Sequence, residues 1–170
     1  LAGQGDYAMS CVGRERLYEY CSTTFNIPMA LLRLNYAVET RYGVLVDIAQ
    51  RVWNGEPVDL SMGCLNAIWQ ADANGAAISA FAHLAVPPRV LNIAGPEILS
   101  VRRVAEEFAG RFGKPVRFAG VEGPDAFLSN AQESQRLLGY PRIGPAQMVE
   151  WIADWIARGG QTLGKPTHFE

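Results

Sequence analysis

Apolar positions return at helical spacing from about Tyr7 to about Phe25, where Val12, Leu17, Tyr20, Cys21 and Thr24 recur and Arg14, Arg16 and Glu19 occupy other faces. Asp6 is placed to cap that helix, and Asn26 and Pro28 end it. Met29 to Leu34 then reads as a short strand of the kind buried on both faces in parallel sheets. A loop over 35–42 leads to a helix over 43–54, with Leu45, Ile48, Ala49 and Val52 inward and Gly55 and Pro57 closing it. Val58 to Leu60 and Leu65 to Trp69 are short strand candidates. Asp72 to Leu84 is an alanine-rich helix that Pro87 and Pro88 stop. Arg89 to Ala94 is a further strand, and Ser100 caps a helix to about Phe112 with Val101, Val104, Ala105 and Phe108 on its inner stripe. Strands are expected over 116–119 and 126–128, a short helix over 131–138, and a last helix over 145–158 that buries Val149, Ile152, Trp155 and Ile156.

Helices alternating with short apolar strands predict an α/β fold: part of a parallel sheet with flanking helices, plus a small α+β region. The chain of 170 residues suits one core, so residues 1–158 are expected as a single domain and 159–170, opened by Gly159-Gly160, as a flexible tail. With 49% hydrophobic and 19% charged residues and a net charge of −2, the composition is that of a soluble globular protein with no long-range attraction to nucleic acid. Cys11, Cys21 and Cys64 have no metal-ligand spacing and are odd in number, which argues for a reducing, cytoplasmic setting and against a disulfide framework or zinc site. His83 and His168 are too far apart in sequence to suggest a metal pair, and His83 reads as a helix-surface or partly buried residue. No segment is apolar enough to span a membrane, and no signal peptide is recognisable. The start at Leu1, without Met, suggests the later part of something longer.

Chemistry is concentrated in one stretch, Asp6 to Arg16. On a helix Tyr7, Cys11, Arg14 and Glu15 fall near one face, so a phenol sits above a thiol and an ion-pairing patch. No Gly-x-Gly-x-x-Gly occurs in the chain. Gly139 and Gly144 have the separation of a phosphate loop, but Pro145-Ala146 follows where Lys-Ser is required. Cys11 has no histidine nearby in sequence to make it a nucleophile.

The Tyr7 stretch, with Ala8, Ser10 and Glu15, resembles the active-site helix of the extended short-chain dehydrogenase/reductases, the NAD-dependent epimerase/dehydratase family. That family places a lysine four residues after the tyrosine, and this chain has Cys11 there. The resemblance continues in order. Ala30 to Asn35 is similar to the strand and Arg-x-x-Asn-type turn, although Tyr36-Ala37-Val38 replaces the usual Tyr-Gly-Pro. Gly55-Glu56-Pro57-Val58 resembles the turn ahead of the substrate pocket, and Ile68 to Ala73 the segment in which an Asp opens a helix. Val90 to Glu97 with Leu99-Ser100-Val101 resembles the strand, Gly turn and Ser-capped helix, and Ser134 to Pro141 the closing Leu-Gly-Tyr-x-Pro stretch.

The resemblance implies the second half of such a protein: the active-site helix, the last strands of a Rossmann-type sheet and the substrate-binding part, with NAD or NADP as cofactor and a nucleotide-sugar-like ligand. It implies Tyr7 as the catalytic residue and Asn35, Trp69, Asp72 and Asn92 as substrate-side residues. A catalytic tyrosine must be brought from a pKa of about 10 towards neutrality, at about 1.4 kcal/mol per unit. A neutral thiol at Cys11 does not supply that field; Arg14, two turns along, is the candidate substitute for the lysine. No residue is assigned to hold a cofactor or a metal. The expected function is therefore a substrate-binding half, inactive as an isolated chain, that forms a homo-oligomer or joins a missing N-terminal half. The alternatives are a non-catalytic binding or assembly module built on that scaffold, and an unrelated small α/β binding protein.

Overall fold

The computed structural model describes residues 5–123, 126–165 and 167; Leu1 to Gln4 and His168 lie outside the described residues. Helix α1 spans Gly5–Phe25, so Asp6 lies inside its first turn rather than capping it. Strand β1 is Ala30–Leu34. The loop expected over 35–42 contains a two-residue strand β2, Ala37–Val38. Helix α2 is Val44–Asn54, closed by Gly55 in the left-handed conformation at φ 73°, where a side chain is strained and glycine is not. Strand β3 is Pro57–Asp59, and the single strand expected over 65–69 is two: β4, Cys64–Leu65, and β5, Ile68–Trp69. Helix α3, Gln70–Ser79, tightens into a 3₁₀ turn over Ala80–His83. Then follow β6 (Arg89–Ile93), β7 (Leu99–Ser100), α4 (Val101–Phe112), β8 (Arg117–Ala119), α5 (Gln132–Leu138) and α6 (Pro145–Ala157). The Ser100 side chain caps α4 by accepting from the Arg103 N–H. Residues 126–128 form only a single bridge, Phe127 to Leu65.

The sheet is broken into pairs. β1 runs parallel to β6 with Leu32 opposite Leu91, β2 parallel to β5, and β3 parallel to β8, while β4 and β7 are antiparallel. Backbone bonds extend both pairs by one residue at their ends: Asn35 N–H donates to Ile93 O beyond β1, and Ile68 N–H donates to Tyr36 O ahead of β2. The larger core lies in the three packed helices α2, α4 and α6 over β3, with Leu45, Ile48, Phe108, Met148 and Ile152 fully buried. A smaller core of Ile68, Ala73, Ala80, Leu91 and Ile93 sits between β6, β5 and α3.

Two expectations change here. β1 is half-buried rather than covered on both faces, and Leu34 is exposed. Leu17 and Tyr20, expected on the inner stripe of α1, are 59% and 61% exposed, and only Ser22 of that helix is buried. The reason is that α1 has neighbours on one side only among the described residues. Ser22 donates to Ile27 O, and Arg33 of β1 grips Glu15 through two bonds of 2.9 and 2.6 Å. The described residues beyond Gly160 make hydrogen bonds to the body of the chain. Leu163 N–H donates to Arg41 O, Gln50 to Thr162, and the Thr167 N–H and hydroxyl both donate to Asp47.

β6 leads into Gly95 at a crossing of two backbones. A Cβ built at Gly95 falls 2.0 Å from the Ala67 carbonyl oxygen, which no side chain tolerates. Gly95→Ala is therefore expected to destabilise the protein by about 2 kcal/mol or more, as overpacking against backbone does. Urea denaturation measures it; an unchanged midpoint contradicts the close crossing.

Candidate ligand site at the strand ends

In open α/β sheets ligands sit beyond the carboxyl ends of the parallel strands. Here β1 ends into Asn35 and β6 into Ala94-Gly95, and the segment 126–131 crosses both ends. Asn66, 4% exposed between β4 and β5, organises this crossing. Its Oδ1 accepts from Asn35 Nδ2 at 2.7 Å and from the Ser129 N–H at 3.1 Å; its Nδ2 donates to Gly95 O at 3.1 Å and to Ser129 O at 2.8 Å. Both donors and both acceptor positions of the amide are used, which is what makes its burial tolerable. Asn92 adds a bond from Nδ2 to Asn130 O at 2.9 Å, and Ser134 donates to Asn92 O. On the outer side the Phe127 N–H donates to Met62 Sδ at 3.2 Å. The phenol of Tyr36, next to Asn35, is half-buried, and burial raises its pKa.

The result is a neutral, amide-lined ledge over the strand ends, with the exposed Phe127 and Leu128 presented along it. Of the residues expected on the substrate side, Asn35 and Asn92 meet here. Trp69 and Asp72 do not join the network. The Trp69 ring stacks edge-on against Trp151 at 5.1 Å. One oxygen of Asp72 accepts from the N–H groups of Arg142 and Ile143 at 3.1 and 2.9 Å. Asn66, Ser129 and Asn130 were missed in the sequence. Asn66 left one trace, a lone polar residue in the apolar run Leu65 to Trp69.

Tyr7 and Arg14 are on α1. Tyr7 is 82% exposed, and Arg14 reaches back to the Cys11 sulfur at 3.6 Å rather than to the phenol. Glu15, on the same face in the sequence, belongs to Arg33. The hydrogen bond from Arg33 holds the Glu15 carboxyl below its ordinary pKa and raises that of the guanidinium. On this face the Tyr7 phenol is exposed to solvent and the Cys11 thiol lies one turn along, and among the described residues no glycine-rich loop joins a strand to a helix N-terminus. Among the described residues no group of three His, Cys, Asp or Glu side chains gathers to hold a metal. No helix among them is long and apolar enough to cross a membrane.

No protein-family model matches the sequence, and no curated protein matches it. Solved structures do. UDP-glucuronic acid 4-epimerase from Bacillus cereus in complex with NAD superposes with a TM-score of 0.75 at 18% identity, over 89% of this chain and 52% of its own. The fold is that of the NAD-dependent epimerases and dehydratases. dTDP-glucose 4,6-dehydratase from Bacillus anthracis, also in complex with NAD, gives a TM-score of 0.75 at 18% identity over 93% of this chain and 54% of its own. UDP-glucose 4-epimerase from Thermotoga maritima with UDP-glucose gives 0.72 at 15%, over 90% and 53%. The chain thus spans about half the length of these epimerase and dehydratase structures.

Two measurements probe the site. Asn66→Ala leaves the Ser129 and Gly95 groups without their partner, a loss of about 1–3 kcal/mol. Hydrogen exchange should then quicken at residues 127–130 before the rest of the chain, and uniform protection contradicts the clamp. Because the folded-state pKa of Glu15 is lowered, its stabilisation is complete above the ordinary carboxylate range and is lost as pH falls through the lowered value. Protection of the α1 amides, relative to their intrinsic exchange rate at each pH, should therefore fall in acid, and Glu15→Gln should remove that pH dependence.

Proposed function

We propose that this chain is the substrate-binding half of an NAD(P)-dependent epimerase/dehydratase-like protein, and that its ligand, a nucleotide sugar or related compound, lies on the ledge made by Asn35, Asn66 and Asn92. The observation that carries the reading is the Asn66 clamp. It fixes a polar surface at the ends of parallel strands, in a fold shared with proteins that hold NAD and, in one, UDP-glucose. The cofactor, NAD or NADP, belongs to a half that supplies the glycine-rich loop. When bound there it provides hydride chemistry, and the residues of this chain bind and orient the other reactant.

The exposed faces of α1 and the open edge of β1 are the surfaces on which such a half, or a second copy of this chain, packs. We place the protein in the cytoplasm, where its three free cysteines stay reduced. One observation favours a second reading, a non-catalytic binding or assembly module. Cys11 stands in the lysine position and Arg14 turns towards it, away from Tyr7.

Calorimetry separates the two readings from failure of both. The chain alone should bind UDP-glucose and not NAD. In the longer protein that contains it, Tyr7→Phe should lower turnover by about 10²-fold or more. Unchanged turnover excludes the tyrosine mechanism and leaves the binding module; no binding of UDP-glucose overturns the ligand assignment.

A further inference from the structure

We propose that Met62 is a redox-sensitive latch on the segment that crosses the strand ends: oxidation of its thioether by a hydroperoxide releases the outer end of that segment. The latch concerns the Met62–Phe127 contact itself and does not depend on the ligand proposed above.

The two ends of the crossing segment are held by different chemistry. At the inner end Asn66 takes both backbone groups of Ser129, the N–H at 3.1 Å and the carbonyl at 2.8 Å, and Asn92 takes the Asn130 carbonyl at 2.9 Å. At the outer end the Phe127 N–H has a sulfur as its acceptor, Met62 Sδ at 3.2 Å. The Phe127 carbonyl accepts from Asn35 Nδ2 at 3.4 Å, long for such a bond, and a single bridge runs to Leu65. A thioether is a weak acceptor beside an amide oxygen, and it is the one that an oxidant can change. Met62 lies half-buried between β3 and β4, so a small oxidant reaches it, whereas Met148 is 1% exposed in the three-helix core.

The reaction balances with a hydroperoxide alone. Its O–O bond breaks, one oxygen forms the S=O bond, the sulfur gives up two electrons, and the other oxygen leaves as water or an alcohol. The sulfur of a sulfoxide carries partial positive charge and no longer accepts from an N–H. Its oxygen does not fit between two atoms already 3.2 Å apart. Either Phe127 moves outward, which also breaks the long bond from Asn35, or the flexible Met62 side chain turns its oxygen to solvent. Both leave the Phe127 N–H without its acceptor.

Peroxide treatment of the ¹⁵N-labelled chain tests this, with modified residues located by tandem mass spectrometry and amide exchange read by NMR. Met62 should gain one oxygen while Met148 stays reduced. Exchange at Phe127 should then quicken about fivefold, the effect of one neutral hydrogen bond lost, with Ser129 unchanged. A methionine sulfoxide reductase should reverse the change. Met62→Leu, close in volume, should show the faster Phe127 exchange before peroxide and no further change after it. Cys64→Ala removes the free thiol two residues away and should keep the full response. The latch is overturned by oxidation of Met62 with no change at Phe127, by oxidation of Met148 as readily as Met62, by a peroxide response in Met62→Leu equal to that of the native chain, or by loss of the response in Cys64→Ala.

Discussion

The arrangement of the strand ends depends on one buried amide. Asn66 makes four hydrogen bonds to three separate stretches of chain: Asn35 after β1, Gly95 after β6, and Ser129 in the crossing segment. These stretches are far apart in sequence, and an aliphatic residue at 66 could join none of them. The same residue explains why Gly95 has no side chain. Asn66 holds the turn so close that the neighbouring Ala67 carbonyl occupies the space a Cβ would take. Polar satisfaction and backbone proximity are thus two consequences of one contact, and both set where the ledge lies.

Hydrophobic burial is distributed unevenly around that point. The three-helix unit of α2, α4 and α6 has the larger core, whereas the β1/β6 pair is lightly covered and α1 lies on it through little more than Ser22 and the Arg33–Glu15 pair. A partly exposed ion pair contributes modestly. Attachment of α1 is therefore the weakest link among the described elements. This gradient leaves the three-helix side with a core of its own and the β1/β6 side lightly covered.

What could be read in the sequence follows the range of the interactions. Local signals were reliable for the stop at Gly55, the Ser100 cap and the inner stripes of α2 and α4, each decided within a turn or two of chain; of the α6 stripe Val149, Ile152 and Ile156 are buried, but Trp155 is half-buried and donates to Gln161 O. The order of short motifs carried the fold, which the solved structures bear out at low identity. Signals that depend on distant partners were not legible. Leu17 and Tyr20 have the spacing of core residues, but no described element covers them. Nothing near Thr167 in sequence announces its bond to Asp47, 120 residues away. Asn66 looked like an interruption in a strand because its partners lie 31, 29 and 63 residues off.

The clamp makes no use of α1. Among the described residues none of the side-chain bonds that hold residues 127–130 comes from that helix, and a tie between the two regions runs through β1, from Arg33 to Glu15 and from Asn35 to Asn66. The Asn66 network and Tyr7 are consequently held on separate supports. Replacing the lysine by Cys11 removes a charge beside an exposed phenol without disturbing Asn66 or its partners. A scaffold divided in this way can keep its ledge when α1 changes. The hydrogen bonds that shape the strand-end ledge thus come from Asn35, Asn66 and Asn92 and not from the Asp6 to Arg16 stretch.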